Sequence, residues 1–399
     1  MAILRPKLKF FKGSTYVIDQ SDSSNAGHPL KFTADSGVSE YTSGVTATGT
    51  PGQAGAKTTF VVPNDAPENM MYYCTAHGIG MGQKIKIVTN PSIPSTKWYG
   101  DRALVSAGLI SNYPNTDARN QIEYFDITTN SNSSLFGELF ATRYNHGSLS
   151  DETRAVFAGG NDVAGNNLNS IEYITSSTTG NGSDFGDLYA TRVQLAGVSN
   201  GTRGIFASHD YSQDMEHITI QTTGNGSDFG DLSNNVLQNS SMSGTDGTYG
   251  LFAGGLTWAP VFYDVIQYVT ISTAGNTQDF GDLSVARGVS QTSIANDNRV
   301  CFAGGNSTAT STNSDVIDYV VASTPGNATD LGNLSIAMRY LSGTNNGTTG
   351  VVVGGSNDNG TTFRNDIQKF TIDIAGNASD FGDLAVAVQK NSSTSANAS

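Results

Sequence analysis

The 399-residue chain is poor in the groups that most enzyme chemistry uses. It has two cysteines, five histidines and two tryptophans, and Asp, Glu, Lys and Arg together make up 14% of it. Two cysteines far apart in sequence, Cys74 and Cys301, exclude the disulfide framework of a small secreted scaffold. No apolar run approaches the length that spans a bilayer, so membrane insertion is not expected. The opening MAILRPKLKFFKG lacks the continuous apolar stretch and small-residue cleavage site of a secretory leader, which predicts a soluble chain not exported by that route. Basic residues are scarce beyond the first segment. Residues 1–90 carry eight Lys/Arg against six Asp/Glu, but the remaining 309 carry thirteen against twenty-nine. An acidic body of that kind repels phosphate backbones and anionic lipid, and no nucleic-acid partner is expected.

What the chain does have is turn chemistry and a repeat. Glycine occurs 46 times, Ser, Thr and Asn are abundant, and short apolar or alternating runs lie between them. That mixture predicts an all-β protein. One tetrapeptide recurs: FGEL at Phe136, FGDL at Phe185, Phe229, Phe280 and Phe381, and LGNL at Leu331, at spacings of 49, 44, 51, 51 and 50 residues. A strand-like motif keeps the same period, from RALVSAG (Arg102) and RAVFAGG (Arg154) to RVCFAGG (Arg299) and TGVVVGG (Thr349). Between the two stands a third motif, Ile122-Glu123-Tyr124 in its first copy and Ile171-Glu172-Tyr173 in its second. A period near fifty with about four strands per copy fits a propeller blade, with the FGDL phenylalanine packed between neighbours. The Gly-Gly pairs suit a strand leaving a crowded centre. The last copy of the stretch that precedes each AGG strand is NSSTSANAS at the C-terminus, and the first AGG strand has none before it. The C-terminal segment is therefore expected to pair with the first AGG strand and leave no open edge.

Over residues 97–399 this pattern resembles kelch-repeat propellers, including the galactose-oxidase type, with Phe or Leu where kelch repeats carry Trp. Six copies of the motifs, at roughly fifty residues each, fill this stretch as six blades. In the third copy His209 replaces a glycine and His217 a tyrosine, and both read as local variation. His146 reads as a surface residue, and Cys301, inside RVCFAGG, as a small hydrophobe.

Residues 1–90 lack the repeat. Runs such as STYVID, HPLKFT, TTFVVP, MMYYC and KIKIV alternate with Gly-, Ser- and Pro-rich turns, the pattern of a small β-sandwich, and a linker at 91–96 follows. The stretch MMYYCTAHGIGMG sets Cys74, His77 and Met81 at C-x2-H-x3-M, and NAGHPL supplies His28 upstream. Two imidazoles, a thiolate and a distant thioether are the donors of a mononuclear blue-copper site. The loop has glycines at 78, 80 and 82 that would let three ligands converge. The alternative is that Cys74 and Met81 pack a core. Through GSTYVIDQSDSSNAGHPLKF and TTFVVPNDAPENMMYYCTAHGIGMG the segment resembles the cupredoxin family, and more closely a cupredoxin-like module of marine bacteriophage structural proteins. That resemblance implies a cupredoxin-like β-sandwich with its copper ligands His28, Cys74, His77 and Met81 retained.

No enzymatic activity is expected, because the acids of the repeat recur at one place in copy after copy, as at Asp187, Asp231, Asp282 and Asp383. The likeness to the phage module implies a virion protein of a marine phage, of the cyanophage or pelagiphage kind. It would be associated with the tail or a fibre and assembled in the host cytoplasm. Its partners would be other virion proteins, copies of itself in the particle and a host-surface glycan or protein. Propeller loops would carry recognition, and LTWAPVFYD offers Trp258, Phe262 and Tyr263 for stacking on sugar rings. Two alternatives are an electron-transfer cupredoxin on a bacterial surface scaffold and a galactose-oxidase-like copper oxidase. The second would need a Cys–Tyr cofactor and a copper set on the propeller, where histidines are few.

Overall fold

The computed structural model describes residues 7–12, 14–34, 39–63, 66–88, 97–111, 117–207, 213–233, 244–245, 247–255, 261–288, 292–307, 313–358 and 360–398. Among these the chain is all-β, with one 3-10 turn at Ser23–Asn25 and no α-helix. It divides into two compact units, Met1–Pro94 and Ser95–Ser399. The expected linker at 91–96 lies outside the described residues.

The first unit has seven strands: β1 (Leu8–Phe11), β2 (Thr15–Asp19), β3 (Leu30–Thr33), β4 (Val45–Thr48), β5 (Lys57–Val61), β6 (Asn69–Cys74) and β7 (Gly78–Val88). They form a four-stranded sheet, β1-β7-β6-β3, and a three-stranded one, β2-β5-β4. Among the described residues of this unit only β1 and β7 run parallel. Alternation sends Thr58 and Phe60 of β5 inward, and Phe60 meets Phe10 and Phe32 of the other sheet at 6.1 and 4.9 Å. With Met70, Ile85 and Ile87 these rings make one core shared by both sheets. Each such buried side chain contributes about 1.5–3 kcal/mol.

Among the described residues the second unit holds six four-stranded antiparallel sheets, each open, in chain order, besides the two-stranded pairing of Arg287–Gly288 with Asn306–Ser307. Sheets two to six repeat one plan. In sheet two the strands Gly147–Ser150, Arg154–Ala158, Ser170–Thr175 and Ser183–Asp187 pair consecutively. Sheet one takes its first three strands from Arg102–Ser111, Asp117–Asp126 and Ser134–Glu138, and its fourth from the C-terminus. Ser392–Ala396 pairs antiparallel with Arg102–Ser106. The motifs mark fixed positions: RAVFA is the second strand of sheet two, SIEYIT its third, and FGD ends its fourth.

The FGDL phenylalanine packs onto the following sheet. Phe136 joins Ala155, Phe157 and Ile174 of sheet two, and Phe185 joins Phe206, Ile218 and Ile220 of sheet three. Phe381 of sheet six joins Ala103, Val105 and Phe125 of sheet one. The glycine after it permits this approach. Gly186 sits at φ 141°, and a Cβ there would lie 2.5 Å from the Gly224 carbonyl oxygen of the next sheet.

The first strands of sheets two, three and six, and the C-terminal strand that holds that place in sheet one, meet through buried polar side chains. Ser148 and Ser392 are bonded at 2.6 Å, Ser199 Oγ donates to the Ser150 carbonyl at 2.7 Å, and Asn391 Nδ2 donates to Ser342 Oγ at 2.8 Å. A short segment before the first sheet touches several of them. Ser150 Oγ donates to the Trp98 carbonyl, Tyr99 Oη donates to Asp297 Oδ1 at 3.0 Å, and Asn346 Nδ2 donates to Asp101.

Three expectations differ from what is found. The first unit has strands β1 and β4 in addition to those read from its apolar runs. His146 is buried, not on the surface, because Phe157 and the Ser106 hydroxyl enclose its ring. The segment GIGMG is strand, not loop: Cys74 pairs with Gly78, so only residues 75–77 turn.

Candidate functional site

The one group of three convergent metal donors among the described residues is His28, Cys74 and His77. Strand pairing assembles it. Leu30, the first residue of β3, lies opposite Cys74, the last of β6, so His28 arrives beside the thiol. The turn that follows is closed by the His77 amide donating to the Cys74 carbonyl at 3.2 Å. Cys74 Sγ is 3.4 Å from His28 Nδ1 and 3.9 Å from His77 Nδ1, and all three donor atoms lie within 4.8 Å of one another. The imidazoles stack nearly parallel, with centroids 4.7 Å apart. His28 and Cys74 are half-buried and His77 is exposed.

These separations fit donors that share one ion at about 2.0–2.3 Å each. A thiolate with two neutral imidazoles suits copper or zinc, and the two-His, one-Cys set is that of a trigonal copper centre. Met81 lies in β7 with its side chain outside the described residues. Of the three loop glycines, only Gly78 has a positive φ, 63°.

A supporting residue escaped the sequence reading. Gln20 is buried, accepts from the Leu30 amide at 3.3 Å and from Thr58 Oγ1 at 3.1 Å, and donates to the His28 carbonyl at 3.4 Å. It ties the His28 segment to the second sheet. Its only sequence signal is a polar residue at the end of an apolar strand.

The six sheets use their polar residues differently. The middle residue of the IEY motif is buried in every copy: Glu123, Glu172, Glu216, Gln267, Asp318 and Gln368. Each accepts from a backbone amide just after the FGDL of the preceding sheet. Glu172 accepts from Phe140, Glu216 from Tyr189, Gln267 from Ser233, Asp318 from Ser284 and Gln368 from Ser335. Glu123 of sheet one accepts from Ala385 of sheet six at 2.9 Å. Arginines pair with the acids, Arg143 with Glu172, Arg287 with Asp318, and Arg119 with Glu123 at 2.6 Å. Burial pushes the Arg143 guanidinium down, and Glu172 opposes that shift. Burial likewise raises the Glu216 carboxyl.

A second repeated contact was also missed. Asn181, Asn225, Asn276, Asn327 and Asn377 each accept, through Oδ1, from the amide following the FGDL glycine of the sheet before, at 3.0 or 3.1 Å. Asn132 does so for Asp383, from sheet one to sheet six, at 3.0 Å. The signal was a recurring Gly-Asn in five of the six hairpins, with Ser131-Asn132 in the first copy.

The remaining candidates are scattered. Trp258 lies outside the described residues; Phe262 and Tyr263 are half-buried, and the Tyr263 amide donates to the Gly255 carbonyl at 2.9 Å. His209 also lies outside them. His217 takes the tyrosine's place against its sheet's FGDL ring, 5.8 Å from Phe229. Ser106 Oγ is 2.7 Å from His146 Nε2, a contact the sequence did not suggest. Both residues are buried, His146 Nδ1 has no hydrogen-bond partner, and burial holds the imidazole well below its usual pKa. Cys301 faces Tyr319 across two strands, fully buried, and burial pushes its thiol up.

No known protein-family model matches the chain, and no curated protein matches it.

Proposed function

We propose that this is a non-enzymatic binding and structural protein of a phage virion, with a cupredoxin-like copper domain joined to a six-bladed kelch-like propeller. The carrying observation is the junction between sheet six and sheet one. It repeats the contacts of the other five junctions, with Phe381 on Phe125, Glu123 on the Ala385 amide and Asn132 on the Asp383 amide. Six sheets linked in that way support one ring closed by Ser392–Ala396. The polar residues of the repeat are engaged in holding neighbours together, whereas an active site needs different groups converging on one place. A rigid disc of this kind suits display of loops to a host-surface glycan or protein, or bridging of other virion proteins. The virion assignment rests on the likeness of residues 10–88 to the phage structural module.

In the first unit His28, Cys74, His77 and Met81 would hold one copper ion, which supplies thiolate-to-metal charge transfer and one-electron chemistry. The exposure of His77 favours a second reading, electron exchange with an outside partner through that ring.

Two measurements test the proposal. Titrating the full chain with Cu(II) should produce an intense visible band that Cys74→Ser lacks, because a hydroxyl cannot supply the thiolate. No band in the wild type would leave Cys74 as core packing. Mass spectrometry of purified particles should find the chain, and replacing residues 256–263 with a Gly/Ser loop should reduce attachment to host cells. Absence from particles overturns the virion assignment. Reversible reduction of the copper by an external protein, at a rate that falls on His77 substitution, would favour electron transfer.

A further inference from the structure

The arginine that opens the AGG strand is replaced in sheet four. Arg102, Arg154 and Arg299 lie over the motif tyrosine of their own sheets, at 5.0, 4.1 and 4.0 Å. Each, like Arg203, also donates to a carbonyl of the following sheet. At this position sheet four has Tyr249, which meets Tyr268 edge-on at 5.2 Å. Tyr268 also meets Phe280 at 5.6 Å, and its hydroxyl donates to Gln278 Oε1 at 2.9 Å. Here a cavity of about 300 Å³ opens, lined by Tyr249, Tyr268, Thr270, Thr273, Asn276 and Gln278 among others.

We propose that this cavity binds a neutral saccharide. Its volume lies at the lower bound of small-ligand sites, about 300 Å³. No side chain lining it is charged at neutral pH, and the acidic body around it repels anions. An apolar ligand would strip water from two amides and two threonine hydroxyls without replacing those hydrogen bonds. A sugar meets both demands, with C–H faces for the tyrosine rings and hydroxyls for the rim. Asn276 Oδ1 is taken by the Asp231 amide and Gln278 Oε1 by Tyr268, which leaves two amide nitrogens as donors. The cavity sits at the hairpin after Thr270, the other end of the strand Val265–Thr270 from the loop carrying Phe262 and Tyr263. It is independent of the virion reading.

Saturation-transfer NMR on the full chain, with glucose, galactose, mannose and N-acetylglucosamine in turn and glucuronate as a charged control, tests this. At least one neutral sugar should receive saturation at its ring protons. Tyr249→Arg restores the residue found in four other sheets, and its guanidinium can reach the Ala322 carbonyl as that of Arg203 reaches Ile271. It should fill the cavity and weaken binding about tenfold or more, near 1.4 kcal/mol, with melting unchanged or raised. Should that variant not fold, Gln278→Ala, on an exposed side chain, is expected to weaken binding in the same direction. Transfer to none of the four sugars, equal transfer in every folded variant, or stronger transfer to glucuronate would each overturn the assignment. None of these results bears on whether the chain is found in particles.

Discussion

Glu216 in the third sheet and His28 in the first unit are both polar residues held in place by strand pairing. Glu216 has a counterpart in each of the other five sheets, doing the same work. It accepts the Tyr189 amide at 2.9 Å, as Glu172 accepts Phe140 and Glu123 accepts Ala385. His28 has no counterpart, and its neighbours at 3.4 to 4.7 Å are a thiol and a second imidazole, groups with no mutual structural need. Repetition turns reactive side chains into fasteners. A single convergence leaves them available to an ion. Sheet four lies between these cases, since one departure, Tyr249 for arginine, accompanies the cavity at its hairpin.

The comparison breaks most completely if the six junctions are not equivalent. Deleting residues 391–399 removes the strand Ser392–Ala396 with its pairing to Arg102–Ser106, and the bonds from Ser392, Thr394 and Ser395 to their neighbours. Five residues of ladder at about 1 kcal/mol per hydrogen bond, plus the exposed edge, should cost on the order of 5 kcal/mol or more. Calorimetry of the full chain should show the larger transition at much lower temperature. An unchanged transition would mean that sheet one does not depend on its fourth strand, and the ring reading fails.

A smaller effect is expected from one ion pair. Arg287 and Asp318 are both fully buried, and Arg287 also donates to the Phe302 carbonyl at 3.0 Å. Arg287→Ala leaves the carboxylate buried without its partner, at a cost of about 3–5 kcal/mol. Arg287→Ala with Asp318→Asn should recover part of that loss, since the amide can still face Ser284. Denaturant melts of the two variants check this. No recovery would mean that packing, not the unpaired charge, sets the cost.

How far this was readable in advance follows from what each feature depends on. The AGG and FGDL strands were legible because their periodicity is local and their motifs recur. The His28–Cys74–His77 grouping was legible because residues of two rare types, His and Cys, stood in a recognisable order. The loop was misjudged for a physical reason: GIGMG looks flexible, but β6 and β7 pair up to Gly78, so Met81 falls in a strand. Burial of His146 depends on Ser106, forty residues away, and nothing local signals it. Five of the six Asn contacts were visible as Gly-Asn repeats, but their partners lie in the preceding sheet, beyond the reach of a single repeat.

The smallest expected effect gives the sharpest comparison. Asn225 Oδ1 accepts the Asp187 amide at 3.0 Å, at an exposed position between sheets two and three. Asn225→Ala removes that acceptor, but water can take its place, so the loss should be about 0.5–1.5 kcal/mol. In melting temperature that is no more than roughly 2–4 °C for a unit of this size. Asn132 makes the same bond to Asp383 between sheets one and six. If all junctions are alike, Asn132→Ala should lower melting by the same amount, and the two losses should add in the double variant, because the sites share no partner. A much larger loss for Asn132→Ala would mark the first-to-sixth junction as the weak seam of the proposed ring. No loss there, against a measurable one at Asn225, would mean that this junction is not formed in solution.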